Sequence, residues 1–410
     1  MLHRFTARPR AALAAGVAAG ALFAAAGSAS AQEVSIGSLM PMTGDLAAFG
    51  ETTNNGAQLA VDQINAAGGV LDGQQLELVV GDTQTVPQAA IDAAQRLVNV
   101  EGVAALIGAL SSGNTIPVAQ SVASVENVPV ISPASTSPVI TGLEDGDFLF
   151  RTVPSDAFQG VALSSITHEA GIESVSVIYV NNDYGEGLAQ AFGDAFEGAG
   201  GEVVGSVPYE QGRASYRGEL QQISGGDALV LLGYPENGVT ILRQALEEGF
   251  FNRFVFPDGM KAPEIIEQIG AQYLDGSIGT APEAPEGSET AALFNGFYEE
   301  AYGEQPPKPY IDTGYDAAFL IALAIEASGS TDGPAIRDAL RDVANPPGEP
   351  ILPGEWEKAV GILAEGGDID YVGASGSVNF DAAGDVSGTF AHWEIQDGEI
   401  VTVKIFDPSS

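Results

Sequence analysis

The chain alternates between two hydrophobic patterns. Short, mainly apolar stretches at residues 34–40, 76–80 and 129–133 read as strands, and the unbroken apolar run at 104–110 as a strand buried on both faces. Between them, apolar residues recur at three- and four-residue spacing. Ala57, Ala60, Val61 and Ile64 form one set; Ile91, Ala94, Leu97 and Val98 a second; Ile116, Ala119, Val122 and Ala123 a third. Each set marks one face of a helix, and Gly68-Gly69 ends the first. After an extended run at 148–153 the alternation restarts. Strands are predicted at 175–180, 203–207, 228–232 and 254–256. Helical stripes fall at Leu188, Ala191, Phe192, Ala195, Phe196 and Ala199, then at Leu242, Ala245 and Leu246. Helices return at 293–301, 319–327 and 336–343. Residues 392–395 and 400–405, around Asp397-Gly398, predict a β-hairpin. The Pro- and Gly-rich stretch 345–354 reads as a surface loop. Strand and helix in alternation predict an α/β protein, with parallel sheets covered on both faces and two successive lobes. No internal repeat is visible in the sequence.

In such sheets, ligands bind outside the carboxyl ends of the strands. Two small polar turns sit at predicted strand ends: Ser111-Ser112-Gly113-Asn114, and Ala134-Ser135-Thr136-Ser137. A helix that starts at the first turn leaves backbone N–H groups unpaired. The helix dipole and the serine hydroxyls add to them, making a receptor for a carboxylate or other small anion. A serine N-cap that simply faces water explains the same residues equally well.

Composition narrows the setting. Arg4, Arg8 and Arg10, an alanine-rich run at 11–26 and Ala29-Ser30-Ala31 predict a secretory signal peptide over residues 1–31. No other apolar run is long enough to span a bilayer. The chain has no cysteine, so an exported protein of this sequence folds on core packing alone and carries no lipid-modified N-terminus. The expected location is the periplasm. Without the signal's three arginines, 12 basic face 55 acidic side chains, a charge of −43. That surface repels nucleic acid and anionic lipid. Metal chemistry finds no support: His168 and His392 are far apart and no metal-ligand motif occurs. No cofactor is expected either. Gly185-Glu186-Gly187 misses the dinucleotide fingerprint because Gln190 stands where its third glycine belongs. Gly373-Ala374-Ser375-Gly376-Ser377 fails as a serine-hydrolase elbow at its last position. Asp381-Ala382-Ala383-Gly384-Asp385 reads as a turn rather than a calcium loop.

Several segments together resemble the leucine/isoleucine/valine-binding family of ABC-transporter substrate-binding proteins. They are Ser38–Gly44, Ala57–Gly69, Ile107–Ser112, Ile131–Thr136, Asn182–Gly187, Gly233–Glu236 and Leu242–Ala245, in order through nearly the whole mature chain. The resemblance implies a type I periplasmic-binding-protein fold, two Rossmann-like lobes joined by a three-segment hinge. The expected division is 32–152 plus 281–377 for the first lobe and 153–280 plus 378–410 for the second, with crossings near 151–155, 279–282 and 377–381. It implies a non-enzymatic, monomeric protein that takes an amino acid to an inner-membrane ABC permease. A ligand-sensing receptor of the same fold, for an amide, urea-like or aromatic solute, is the alternative.

By position, the resemblance assigns Ser112 and Thr136 to the ligand carboxylate, with Leu110, Ser111, Ala134 and Ser135 beside them. Asp258 falls on an acid that pairs with the ligand ammonium; on its own, Asp258-Gly259 is a turn. Tyr184 matches an aromatic closing from the second lobe, and Phe49 and Tyr310 match aromatics of the side-chain pocket. A further family tyrosine aligns with either Gly233 or Tyr234. The family's cleft disulfide falls at Thr85 and Ser111, which cannot form one; Ser111 is thereby free to hydrogen-bond.

Overall fold

The computed structural model describes residues 33–408; the predicted signal peptide lies outside the described residues. The chain opens with β1 (Glu33–Met40), α1 (Ala47–Ala66), β2 (Gln75–Asp82) and α2 (Pro87–Arg96), which a π-helical turn extends. Then come β3 (Leu106–Gly108), α3 (Ser112–Val118) running through 119–123 into α4 (Ser124–Glu126), β4 (Val130–Ser132) and β5 (Leu149–Arg151). The apolar run at 104–110 is therefore a strand only in its middle. These strands form one sheet in the order β2-β1-β3-β4-β5, parallel throughout. The winding reverses between β1 and β3, and the Ser111 turn leaves the carboxyl end of β3 at that switch point.

The second lobe follows with α5 (Asp156–Glu169), β6 (Ser174–Val180), α6 (Asp183–Gly198), β7 (Glu202–Tyr209), α7 (Arg217–Gln222), β8 (Ala228–Leu232), α8 (Pro235–Glu247) and β9 (Phe254–Phe256). Two short helices, α9 (Pro263–Ile269) and α10 (Ala271–Leu274), lead to β10 (Ile278–Glu283). The parallel run β7-β6-β8-β9-β10 repeats the winding of the first sheet, although the sequence shows no repeat. The chain continues through α11 (Glu289–Tyr302), α12 (Ile311–Ser328), α13 (Gly333–Ala344), β11 (Glu349–Ile351), α14 (Trp356–Ala364), β12 (Ile369–Gly373) and β13 (Gly376–Ser377). It ends in the hairpin β14 (Thr389–Gln396) and β15 (Glu399–Phe406), which adds antiparallel to β10.

One expectation needs correction, and one helix was not predicted. The stretch 345–354 is not wholly loop: β11 pairs in parallel with β12, forming a small third sheet with β13. Helix α5 carries no clean apolar stripe, because polar side chains share its buried face with Ala162, Leu163 and Ile166. Gln159, Ser164 and Thr167 are buried, while Phe158 and Val161 are about two-fifths exposed (42% and 43%). Tertiary packing, not periodicity, defines this helix.

Helix α12 is buried on nearly every face and lies tightly against α1. A Cβ on Gly56 would stand 1.9 Å from the Ile311 carbonyl oxygen, so only glycine permits this approach. The contact fixes the start of α12. There Tyr310 takes a left-handed backbone (φ 76°), a conformation that costs about 1–2 kcal/mol in a non-glycine residue. Among the described residues, no helix is long and apolar enough to cross a membrane.

Candidate ligand-binding site

The carboxyl ends of both sheets face one narrow cavity. It is lined by Leu46, Leu110, Ser111, Ser112 and Ala134, by Tyr184, Tyr234, Asp258 and Gly259, and by Tyr310. Thus eight of the eleven residues selected from sequence line it. Phe49, Ser135 and Thr136 lie behind the wall. Phe49 packs edge-on against Tyr310, ring centres 5.9 Å apart. Ser135 is spent below the surface: its hydroxyl lies 2.7 Å from Thr115 Oγ1 and donates to the carbonyls of Ala109 and Leu110, both at 3.1 Å. The Thr136 hydroxyl is buried and has no well-formed hydrogen bond; it lies beside Asp156.

The first-sheet wall is built from uncharged donors. Ser112 Oγ accepts from the Ser137 N–H at 3.2 Å, which leaves its O–H to donate elsewhere. Ser111 Oγ lies 3.0 Å from the Tyr234 hydroxyl across the cavity. The turn at 134–137 is held from below by Arg151, which is fully buried. Arg151 donates to Asp385 at 2.6 and 2.8 Å and to the carbonyls of Ser135 (3.2 Å) and Ser137 (3.0 Å). Asp385 closes the 381–385 turn read from the sequence.

The opposite wall carries aromatics and one acid. Tyr184 and Tyr234 stack at 5.6 Å, 11° from parallel. Of the two positions left open by sequence, Tyr234 presents a side chain to the cavity; Gly233 instead lies against the Tyr209 hydroxyl. Asp258 is buried and accepts from Tyr184 Oη (2.7 Å), from Gln159 Nε2 (3.0 Å) and from the Tyr310 hydroxyl. Gly259 is small for a reason: a Cβ there would meet the Gly233 carbonyl at 2.6 Å and Tyr184 Oη at 3.0 Å. Burial raises the Asp258 pKa above the usual carboxylate range, and the hydrogen bonds it accepts offset only part of that rise. Burial and the neighbouring Asp258 push the Tyr184 and Tyr310 hydroxyls far above the usual phenol range, so both are donors.

The walls also touch at the rim. Asp45, just before α1, accepts from Gln211 Nε2 (2.6 Å) and Asn237 Nδ2 (2.5 Å). Lys308 donates to the Ala48 carbonyl (2.6 Å) and to Glu264. Ser137 donates to the Asp183 carbonyl at 2.8 Å.

Sequence reasoning missed Leu46, Gly259 and the pair under the floor, Asp156 and Gln159. Leu46 carries no signal; its N–H donates to Thr85 Oγ1 at 3.1 Å, which positions it. Ser155-Asp156, a cap followed by an acid in the first turn, was the available sign of α5. Among the described residues, no group of three or more metal-ligating acids or histidines occurs.

Comparison with known proteins agrees with this architecture. The family model described as periplasmic binding protein matches residues 33–358. The leucine-, isoleucine-, valine-, threonine- and alanine-binding protein of Pseudomonas aeruginosa is 33% identical over 319 residues, 77% of this chain and 83% of that protein. The leucine-binding protein LivK of Thermotoga maritima superposes with a TM-score of 0.78 at 30% identity, covering 92% of this chain and 99% of LivK. LivJ of Streptococcus pneumoniae, a branched-chain amino acid transporter substrate-binding protein solved with isoleucine, gives 0.77 at 27% identity, covering 92% and 100%. Two lobes of like winding around one cleft, and a family model spanning both, lead to one assignment: this chain belongs to the periplasmic binding protein family.

Proposed function

We propose that this protein is the extracytoplasmic solute-binding component of an ABC importer. It captures an amino acid, of the branched-chain type or a related small zwitterion, and hands it to an inner-membrane permease after export to the periplasm. The observation that carries this reading is the polarity of the cavity: neutral donors on one wall, a buried carboxylate on the other. A zwitterion laid across it meets hydroxyl and N–H groups with its carboxylate and Asp258 with its ammonium. Each charge-assisted hydrogen bond contributes about 1.5–3 kcal/mol. The relatives' names support the same ligand class.

We infer lobes of 32–152 plus 281–377 and of 153–280 plus 378–410. Supporting this division, residues of all three expected crossings line one small cavity: Thr152 and Pro154, Pro282, and Ser377. In this reading the ligand docks on the first lobe and the second closes over it. Contacts that exist only in the closed state drive that closure.

Titration calorimetry with leucine, isoleucine and valine tests the proposal, with N-acetyl-leucine and leucinamide as controls. At least one free amino acid binds and both controls fail, since each lacks one charge. Equal binding of N-acetyl-leucine would reject ammonium recognition, and silence from every amino acid would reject the ligand class.

A further inference from the structure

A second carboxylate lies beneath the cavity floor. Asp156 opens α5 and is fully buried, and neither of its carboxylate oxygens has a hydrogen-bond partner. Its backbone N–H donates to the Thr136 carbonyl at 2.7 Å, which fixes it under the polar turn. Asp258, its electrostatic neighbour, is in the opposite condition, with the donors of Tyr184, Gln159 and Tyr310 converging on it. Gln159 follows Asp156 by three residues on the same helix face. Its Nε2 serves Asp258 and Thr280, while its Oε1 acceptor has no donor.

Two buried carboxylates in mutual range cannot both ionise unless a cation sits with them. Arg151 is the nearby cation, but its donors are committed to Asp385, Thr141 and the carbonyls of Ser135 and Ser137. The other titratable groups facing the pair are Tyr184, Tyr310 and Tyr234, all buried phenols with raised pKa values. Lys261, beyond Asp258 in sequence, pairs with Glu283 at 3.0 Å. His392, on the β14 strand that also packs on α5, faces Glu394, Lys404 and Glu169 at the far end of that helix.

We propose that Asp156 is held as the neutral carboxylic acid and Asp258 as the anion, so the site presents one negative charge, matched to one ammonium. The inference rests on the reading of this cavity as an ammonium site. The donors settle which carboxyl keeps the charge, because hydrogen bonds to a carboxylate favour its ionised form: three side chains donate to Asp258, whereas Asp156 has only the Thr136 hydroxyl beside it, without a well-formed bond, and the more distant Arg151 charge to set against its burial. Burial first, and the Asp258 charge second, hold the Asp156 pKa well above the usual carboxylate range. A neutral Asp156 also supplies an O–H to a floor that otherwise holds only orphaned acceptors on α5, Gln159 Oε1 included. Asp156 is thus a positioning residue: it sets the charge of the floor without adding a second anion to it.

The test is carbon-13 NMR of the unliganded full-length mature protein, labelled at aspartate carboxyl carbons. From about pH 5 to about pH 8, a range in which ordinary aspartates are ionised, one resonance stays at the protonated position. It disappears in Asp156→Asn. If that variant does not fold, Asp156→Glu removes the label while keeping an acid. Assignment by variant is required because burial also raises Asp312, to about 7, and Asp316. In calorimetry with leucine, the affinity lost in Asp156→Asn is at least thirtyfold smaller than that lost in Asp258→Asn. An ionised resonance at position 156, or equal losses in the two variants, would overturn the proposal. Failure of the wild-type protein to bind any amino acid would count against the proposed function and leave the NMR result to decide the protonation state.

Discussion

The two lobes wind their strands in the same order and offer opposite chemistry at equivalent corners. In the first sheet the reversal between β1 and β3 presents Ser111 and Ser112. In the second, the reversal between β6 and β8 presents Tyr184 and Tyr234, and the next strand end presents Asp258. The fold supplies positions; the side chains decide which charge each wall accepts. The walls also differ in redundancy. A negative group on the first wall can draw on several neutral donors, none of them dominant. A positive group on the second depends on one carboxylate.

That asymmetry predicts unequal losses. In the proposed reading, Asp258→Ala removes the charged partner of the ligand ammonium and leaves that ammonium buried, a change that costs about 3–5 kcal/mol. Leucine affinity should fall by several hundredfold or more, with an unaltered far-ultraviolet spectrum. A loss under tenfold would show that the second wall does not carry the recognition of charge. Ser112→Ala removes one donor among several to the ligand carboxylate; such a charge-assisted bond is worth about 1.5–3 kcal/mol, and the neighbouring donors offset part of its loss, so affinity should fall about tenfold. If Ser112→Ala matched Asp258→Ala, the first wall would not be redundant and the comparison would fail.

The same contrast explains what the sequence could reveal. The first wall was legible because its message is local: an apolar run, a small polar turn, then helical spacing, with Ser111 and Ser112 in the turn. The division into two α/β lobes was legible for the same reason, since a strand such as 228–232 is an uninterrupted apolar run. Asp258 was not legible from its neighbours, because Pro257-Asp258-Gly259 is what any turn looks like; only likeness to a family singled it out. Asp156 and Gln159 were invisible together. Their helix buries Gln159 and Thr167 beside Leu163 and Ile166 while exposing Phe158 and Val161, so no clean amphipathic stripe marks its buried face. Burial of polar groups for the sake of a site sets aside the rule by which helices are recognised. Ser135 went wrong in the other sense. It belongs to the right turn, but its hydroxyl is consumed by Thr115 and two carbonyls, a fate set by side-chain direction that spacing does not encode.

The smallest expected effect lies at the rim, where the walls touch without the ligand. Lys308, whose side chain is 10% exposed, reaches Glu264, 34% exposed, and Asp45 reaches Gln211 and Asn237 in part-buried contacts. Solvent reaches one side of these contacts, and ion pairs at a surface are worth about 0.2–1 kcal/mol. If the lobes close as proposed, these contacts form only on closure, so their loss should speed opening and leave docking on the first lobe untouched. The double variant Asp45→Ala/Lys308→Met should therefore raise the leucine dissociation rate about two- to fivefold, with the association rate held, in stopped-flow tyrosine fluorescence. The Lys308 part of the effect should shrink at high salt, whereas the neutral Asn237 and Gln211 contacts to Asp45 should be less sensitive. A rate change exceeding that of Ser112→Ala would mean that the rim, rather than the ligand, holds the lobes together. The chemical difference between the walls would then govern which solute enters but not how long it stays.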